Sequence, residues 1–195
     1  MRPICVVPQA PSPLLTDLSM PRLRLDIDYA RPVWTGRPIL GRLLRRAMRR
    51  TFASPHVLPD DLPNPDCTEV VIALRLTDDA QMRALNHQFR QIDKATNVLS
   101  FPSLDHEAMA EPSFLGDIAI GFETVQREAA REEKQFTDHL THLMVHGCLH
   151  LIGYDHQDRA EAEAMEAKEI AILADLGLAN PYADFDLVEK MKQDA

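Results

Sequence analysis

Residues 136–156 read Phe136-Thr-Asp-His139-Leu-Thr-His142-Leu-Met-Val-His146-Gly-Cys-Leu-His150-Leu-Ile-Gly153-Tyr-Asp-His156. The run is largely apolar, too long for a strand, and closed by a glycine suited to a C-cap, so it predicts a helix from Phe136 to about Ile152. It is flanked by two further helical patterns, Glu123 to about Lys134 and about Asp158 to Asp175, the second stopped by Gly177 and Pro181. Upstream the period changes. Leu23, Leu25, Ile27 and Tyr29 alternate with Arg24, Asp26 and Asp28, the pattern of a half-buried strand. Val70–Leu76 reads as a buried strand, Asn97–Phe101 as a short strand closed by Pro102, and Gly116–Gly121 as a fourth. Pro38 to about Thr51 is an amphipathic helix, with Leu40, Leu43, Leu44, Ala47 and Met48 on one face. Asp78 with Gln81 resembles a capping box opening a short helix that carries Leu85. Strands interleaved with helices, followed by helices only, predict a single α+β domain: a small, mainly four-stranded mixed sheet packed against about five helices.

At 195 residues the chain suits one domain with a tail. Its 45% hydrophobic and 26% charged residues are those of a soluble globular protein. No run approaches the roughly 18 to 20 apolar residues of a membrane span. Arg2 is the only early positive charge, and Pro3, Pro8, Pro11 and Pro13 interrupt any export signal, so a cytoplasmic protein is expected. Residues 1–20 are predicted to be a poorly ordered extension, and Ser54–Pro65 a proline-rich loop. Cys5, Cys67 and Cys148 have no CxxC spacing, which argues against a disulfide framework and a cysteine metal site.

The net charge of −9 is unevenly spread. Residues 22–50 carry nine arginines against Asp26 and Asp28, a local balance of +7 that leaves −16 on the remainder. Arg42, Arg45, Arg46 and Arg49 share the polar face of the 38–51 helix. That face is either a surface for a polyanion or a solvated helix side.

His146 and His150 are four residues apart, so on a helix they lie one above the other, about 5 to 6 Å between Cβ atoms. Their imidazoles can converge on one metal at about 2.0 to 2.1 Å. Gly153 lets the chain leave the helix in a conformation that a Cβ resists, and the turn can bring His156 back as a third ligand. Three nitrogens leave one tetrahedral position open, the arrangement of a catalytic zinc site, here at the end of the fourth predicted helix. One zinc ion per chain is expected, although three imidazoles also accept nickel, copper or iron. His139 and His142 continue the same stripe and are expected to pack or to orient a ligand. Asp117 and Asp155 are further candidates to orient the histidines, with a strand-end cap and a turn residue as their alternatives. Zinc peptidases place a glutamate directly after the first histidine as general base. Here Gly147 stands there, which weighs against peptide hydrolysis. Cys148 lies two residues from each helical ligand and points away from them, into the core.

The segment from His146 to His156 resembles the HGxLHLxGYDH motif of the YbeY family, bacterial endoribonucleases that mature ribosomal RNA. A second likeness runs from Leu85-Asn86 through Arg90 and Asp93 to Thr96-Asn97-Val98-Leu99-Ser100-Phe101-Pro102, similar to LNxxYRxxDxPTNVLSFP. Leu115-Gly116-Asp117-Ile118 is like the family's LGDI strand, and Leu176–Tyr182 fits its closing segment. The likeness covers about residues 22–182, leaving 183–195 as a C-terminal tail. Ala95 replaces a usual proline, and Phe89 stands where tyrosine is common; neither is a ligand.

The resemblance implies a single domain holding a metal on His146, His150 and His156. It also implies single-strand-preferring cleavage of RNA at the 3′ end of small-subunit ribosomal RNA, and a part in ribosome quality control. Implied partners are ribosomal RNA and the small ribosomal subunit, with ribosomal or GTPase assembly proteins beside them, and no membrane. Arg90 maps onto an arginine held important in the family and, with His146, is the expected catalytic group. A guanidinium fork suits the charge that accumulates on a phosphodiester in cleavage. No general base is evident, which leaves open whether water or a ribose 2′-hydroxyl attacks. The arginine face at 42, 45, 46 and 49 is then the candidate for tracking the RNA backbone. Two other functions stay open: a ribosome-assembly factor whose zinc holds the fold, and a zinc hydrolase of peptides or small molecules.

Overall fold

A computed structural model describes residues 21–35, 38–57, 67–103 and 112–183. The predicted extension 1–20, most of the proline-rich loop and residues 184–195 of the tail lie outside the described residues. The alternating segment forms β1 (Arg22–Tyr29). A one-turn helix, α1 (Pro32–Thr35), leads to α2 (Pro38–Phe52). Then follow β2 (Glu69–Thr77), α3 (Asp79–Arg90), β3 (Val98–Pro102) and β4 (Ser113–Gly121). The chain continues through α4 (Phe122–Arg131), α5 (Phe136–Leu151) and α6 (Arg159–Leu176). The expected α+β domain with a four-stranded mixed sheet is present, with six helices among the described residues where periodicity predicts about five. The addition is α1, whose four residues are too few to carry a periodic signal. Its Trp34 is nonetheless fully buried, donates from Nε1 to the Thr77 carbonyl at 2.8 Å, and meets Phe122 edge-on at 5.1 Å. No helix among the described residues is long and apolar enough to cross a membrane.

The strand order is β1-β2-β4-β3, parallel except for β3, which runs antiparallel to β4 at the edge. Side chains alternate across a strand, so the sheet has two unlike faces. Leu25, Ile72, Leu74, Leu76, Ile118 and Ile120 form the inner one, part of the main core with α2, α4, α5 and α6. On the other face α3 covers only part of the sheet, through Met82 against Leu99 and Ala119. The remainder is an open groove of about 690 Å³ containing Asp26, Asp28, Arg75 and Asp117.

Local signals set the helix ends. The Asp78 carboxylate accepts from the Gln81 N–H at 2.9 Å, one half of the predicted capping box, while the Gln81 side chain turns to Thr77 instead. Asp158 caps α6 likewise, and Gly177 ends it at φ +82. β4 begins three residues earlier than its pattern predicts, because a bulge interrupts it. Val71 pairs with Phe114 but Ile72 with Gly116, leaving Leu115 between them. Gly116 sits at φ +139, and a Cβ there would lie 2.2 Å from the Phe101 carbonyl oxygen. Gly116→Ala is therefore expected to destabilise the fold by at least about 2 kcal/mol, from backbone strain and the clash together. A urea midpoint equal to that of the wild type would show that the bulge relaxes at no cost.

Candidate metal centre

α5 is the middle of the molecule: it packs on α2, α4, α6, β3 and β4. Leu140, Met144, Val145, Cys148 and Leu149 are each fully buried, and burial pushes the Cys148 thiol up, as expected of an inert core cysteine. Gly147 faces the sheet. A Cβ there would come within 3.0 Å of Ile118 Cδ1 and 3.3 Å of Ser100 Oγ. A side chain at 147 would thus press on Ile118 and Ser100 of the sheet, and the glutamate that the peptidase arrangement needs is absent from the sequence.

His146 and His150 lie on the more exposed side of α5, and Gly153 at φ +93 turns the chain so that His156 returns to them. One nitrogen from each ring lies within 4.8 Å of the others. The Nε2 atoms of His146 and His150 are 3.0 Å apart, and the His156 ring stands 5.0 Å from that of His150 and 5.6 Å from that of His146. Tetrahedral nitrogens at the zinc–nitrogen distance are about 3.3 to 3.4 Å apart. Burial, with the neighbouring His146 and His156, pushes His150 down to about 4, so its ring is neutral and offers a lone pair at neutral pH.

Behind this trio lies a carboxylate that periodicity alone does not single out. Glu169 of α6 is 1% exposed, and its Oε1 is 2.7 Å from His146 Nδ1. Its Oε2 is 2.7 Å from His142 Nε2 and accepts from the Tyr182 hydroxyl. Burial alone would raise this carboxyl, but the bonds from His142 and His146 outweigh it and bring it to about 2. With Nδ1 engaged by Glu169, His146 presents Nε2 to the cluster, the device by which carboxylates orient metal-binding imidazoles. The donor set, its spacing and this buried acceptor all fit a cation such as zinc. Glu169 does leave a trace in the sequence, since it interrupts the buried stripe of Met165, Ile172 and Leu173 on α6.

The other expected residues are placed unequally. His142 sits beside Glu169 rather than in the trio, and His139 is held by Glu128 at 3.0 Å. Asp155 Oδ1 is 3.9 Å from His150 Nδ1, too long for a hydrogen bond. Its carboxylate accepts from the His156 N–H and the Gln157 amide, so it acts as a turn residue. Asp117 is not brought to the histidines. Its neighbour Ile118 packs against α5, and strand alternation turns Asp117 to the open groove beside Asp26 and Phe101. Arg90 ends α3, exposed and without an ion pair among the described residues. The edge strand β3 lies between α3 and α5: Phe89 meets Phe101 in a tilted ring contact at 4.8 Å, while Ser100 faces Gly147. Arg42, Arg45, Arg46 and Arg49 all lie on the outer side of α2, away from its buried stripe.

The sequence model of the family described as Endoribonuclease YbeY matches residues 57–177. The chain is 44% identical over 168 residues to the Endoribonuclease YbeY of a Chelativorans species, covering 86% of this chain and 98% of that one. It is 54% identical over 130 residues to that of Rhodopseudomonas palustris, covering 65% and 77%. Among solved structures, a solution structure of a Thermotoga maritima protein is similar at a TM-score of 0.46 and 20% identity, over 78% of this chain and 91% of that one.

Proposed function

Because this chain belongs to the YbeY endoribonuclease family, we propose that it is a zinc-dependent endoribonuclease that prefers single-stranded RNA and matures the 3′ end of small-subunit ribosomal RNA. The observation that carries this is the convergence of His146, His150 and His156 with Glu169 buried behind His146. When bound, zinc supplies Lewis acidity toward a phosphoryl oxygen and makes water more acidic. The chain's own residues do the rest. Glu169 holds the His146 proton at Nδ1, and His142 and Tyr182 hold Glu169. Arg90, with no ion pair among the described residues, supplies a guanidinium for the phosphate from the end of α3. The working unit is residues 22–182, followed by a tail. It acts in the cytoplasm on the small ribosomal subunit and its assembly proteins, and contributes to ribosome quality control.

The test is cleavage of precursor small-subunit ribosomal RNA by purified protein as isolated, after chelation, and after zinc is restored. Cleavage should disappear and return with the metal; equal cutting by the chelated protein would defeat the proposal. For Arg90→Ala we expect about a hundredfold lower kcat, the scale of losing one charge-stabilising donor, with bound zinc unchanged. Full cleavage by this variant would remove Arg90 from the reaction.

A further inference from the structure

The arginines of α2 are not spread evenly over a helix face; the fold gathers some of them with arginines from β1. α2 runs antiparallel to β1, with Gly41 close to Tyr29 at the end of that strand, and Arg45 Nη2 3.5 Å from the Leu25 carbonyl. Between the second half of α2 and the start of β1 lies a groove of about 560 Å³, lined by Arg22, Arg24, Arg45 and Arg49. The acids within reach are Asp26, 3.3 Å from Arg24, and Glu69, 3.9 Å from Arg22 and 3.5 Å from Arg24. They offset the strand's arginines and leave those of the helix. Among the described residues, Arg45 donates to the Gly41 and Leu25 carbonyls and meets no carboxylate, and Arg49 has no ion pair. Arg42 and Arg46 extend the positive surface along α2.

The groove opens at the same end of the molecule as the histidine cluster. The starts of β1, β2 and β4 are in register, and Gly116 near the start of β4 is met by Leu151, the last residue of α5. Beyond the end of α2, the His56 carbonyl accepts from Lys168, whose ammonium lies 4.7 Å from the centre of the Tyr154 ring. Tyr154 is two residues before His156. These contacts put one cation, Lys168, between the end of α2 and the turn that carries the third histidine.

We infer that the groove between β1 and α2 is a binding site for the phosphodiester backbone of single-stranded RNA, holding the strand that runs over Lys168 to the histidines. This rests on the endoribonuclease proposal for the ligand, and on the arginine placement for the site. Guanidinium contacts to phosphate give affinity without sequence preference and weaken as salt rises.

The experiment measures binding of a fluorescein-labelled 20-nucleotide single-stranded RNA by anisotropy, across a salt series, with full-length zinc-loaded protein. Arg45→Glu with Arg49→Glu should raise Kd at least tenfold and reduce the slope of log Kd against log salt by about 1.4, at roughly 0.7 for each phosphate that is no longer neutralised. Bound zinc and the thermal midpoint should match the wild type. Arg75→Glu with Arg83→Glu changes the net charge equally on the other side of the sheet and should leave binding near wild type. The inference is overturned if the α2 pair keeps wild-type affinity and slope, or if the control pair loses as much. Wild-type binding that depends on the groove without any cleavage would retain this site and sink the nuclease proposal. Cleavage that persists with unaltered binding in the α2 variant would do the reverse.

Discussion

His150→Ala is expected to lose bound zinc and RNA cleavage together while the domain stays folded. The ring it removes lies 3.0 Å, nitrogen to nitrogen, from His146, so two imidazoles remain where three converged. The transition-state charge stabilisation that a metal supplies is worth several kcal/mol. At about 1.36 kcal/mol per factor of ten, that is a loss of about a thousandfold or more. His150 is 17% exposed at its side chain and sits at the rim of α5, not among the fully buried residues that join α5 to the sheet, so the core does not depend on it. Wild type and variant are purified side by side, with metal quantified and cleavage of precursor ribosomal RNA followed in both. Equal cutting by the two would assign the activity to a contaminant and favour a ribosome factor whose zinc only holds the fold. A variant that has lost its metal yet still cuts would exclude the metal from the chemistry.

Glu169→Ala should have the second largest effect, and through a different route. The carboxylate serves His146, His142 and Tyr182 at once, and it is buried. Its removal strands these three donors, at roughly 1 to 3 kcal/mol for each unsatisfied group. It also frees His146 to rotate or change tautomer, for which a loss of metal affinity of roughly 10- to 100-fold is typical. Because the alanine variant faces both penalties, Glu169→Gln separates them. The amide keeps the volume but presents an N–H where an acceptor is needed, so the protein is expected to fold and still bind zinc about tenfold more weakly or worse. The measurement is zinc competition with a chromophoric chelator, alongside thermal unfolding. If Glu169→Gln binds zinc as tightly as the wild type, the carboxylate is structural and does not orient His146.

Much of this arrangement is legible in the chain because it is local. Two histidines four apart on a helix, a glycine that ends it, and a third histidine three residues later need no partner outside residues 136–156 to be recognised. The same holds for the Asp78 cap, the alternation of β1, and the apolar stripe of α2, each confined to a few turns or pleats. Asp117 shows where such reasoning ends. Its motif marks it as notable, but only the seating of Ile118 against α5 decides that Asp117 faces the other way. Trp34 escapes a sequence reading because one helical turn has no period, although tertiary contacts bury it completely.

Local order in the chain is enough for the α+β class, the helix that carries the histidines, and the three rings able to converge, since backbone periodicity and turn chemistry act over about four residues. Three outcomes needed the folded molecule: Glu169 standing behind His146, 23 positions away, the sheet filling the space at Gly147, and arginines from β1 and α2 sharing one groove. They depend on how elements distant in the chain pack against one another, and packing follows from the shape of the whole core, which no local pattern encodes.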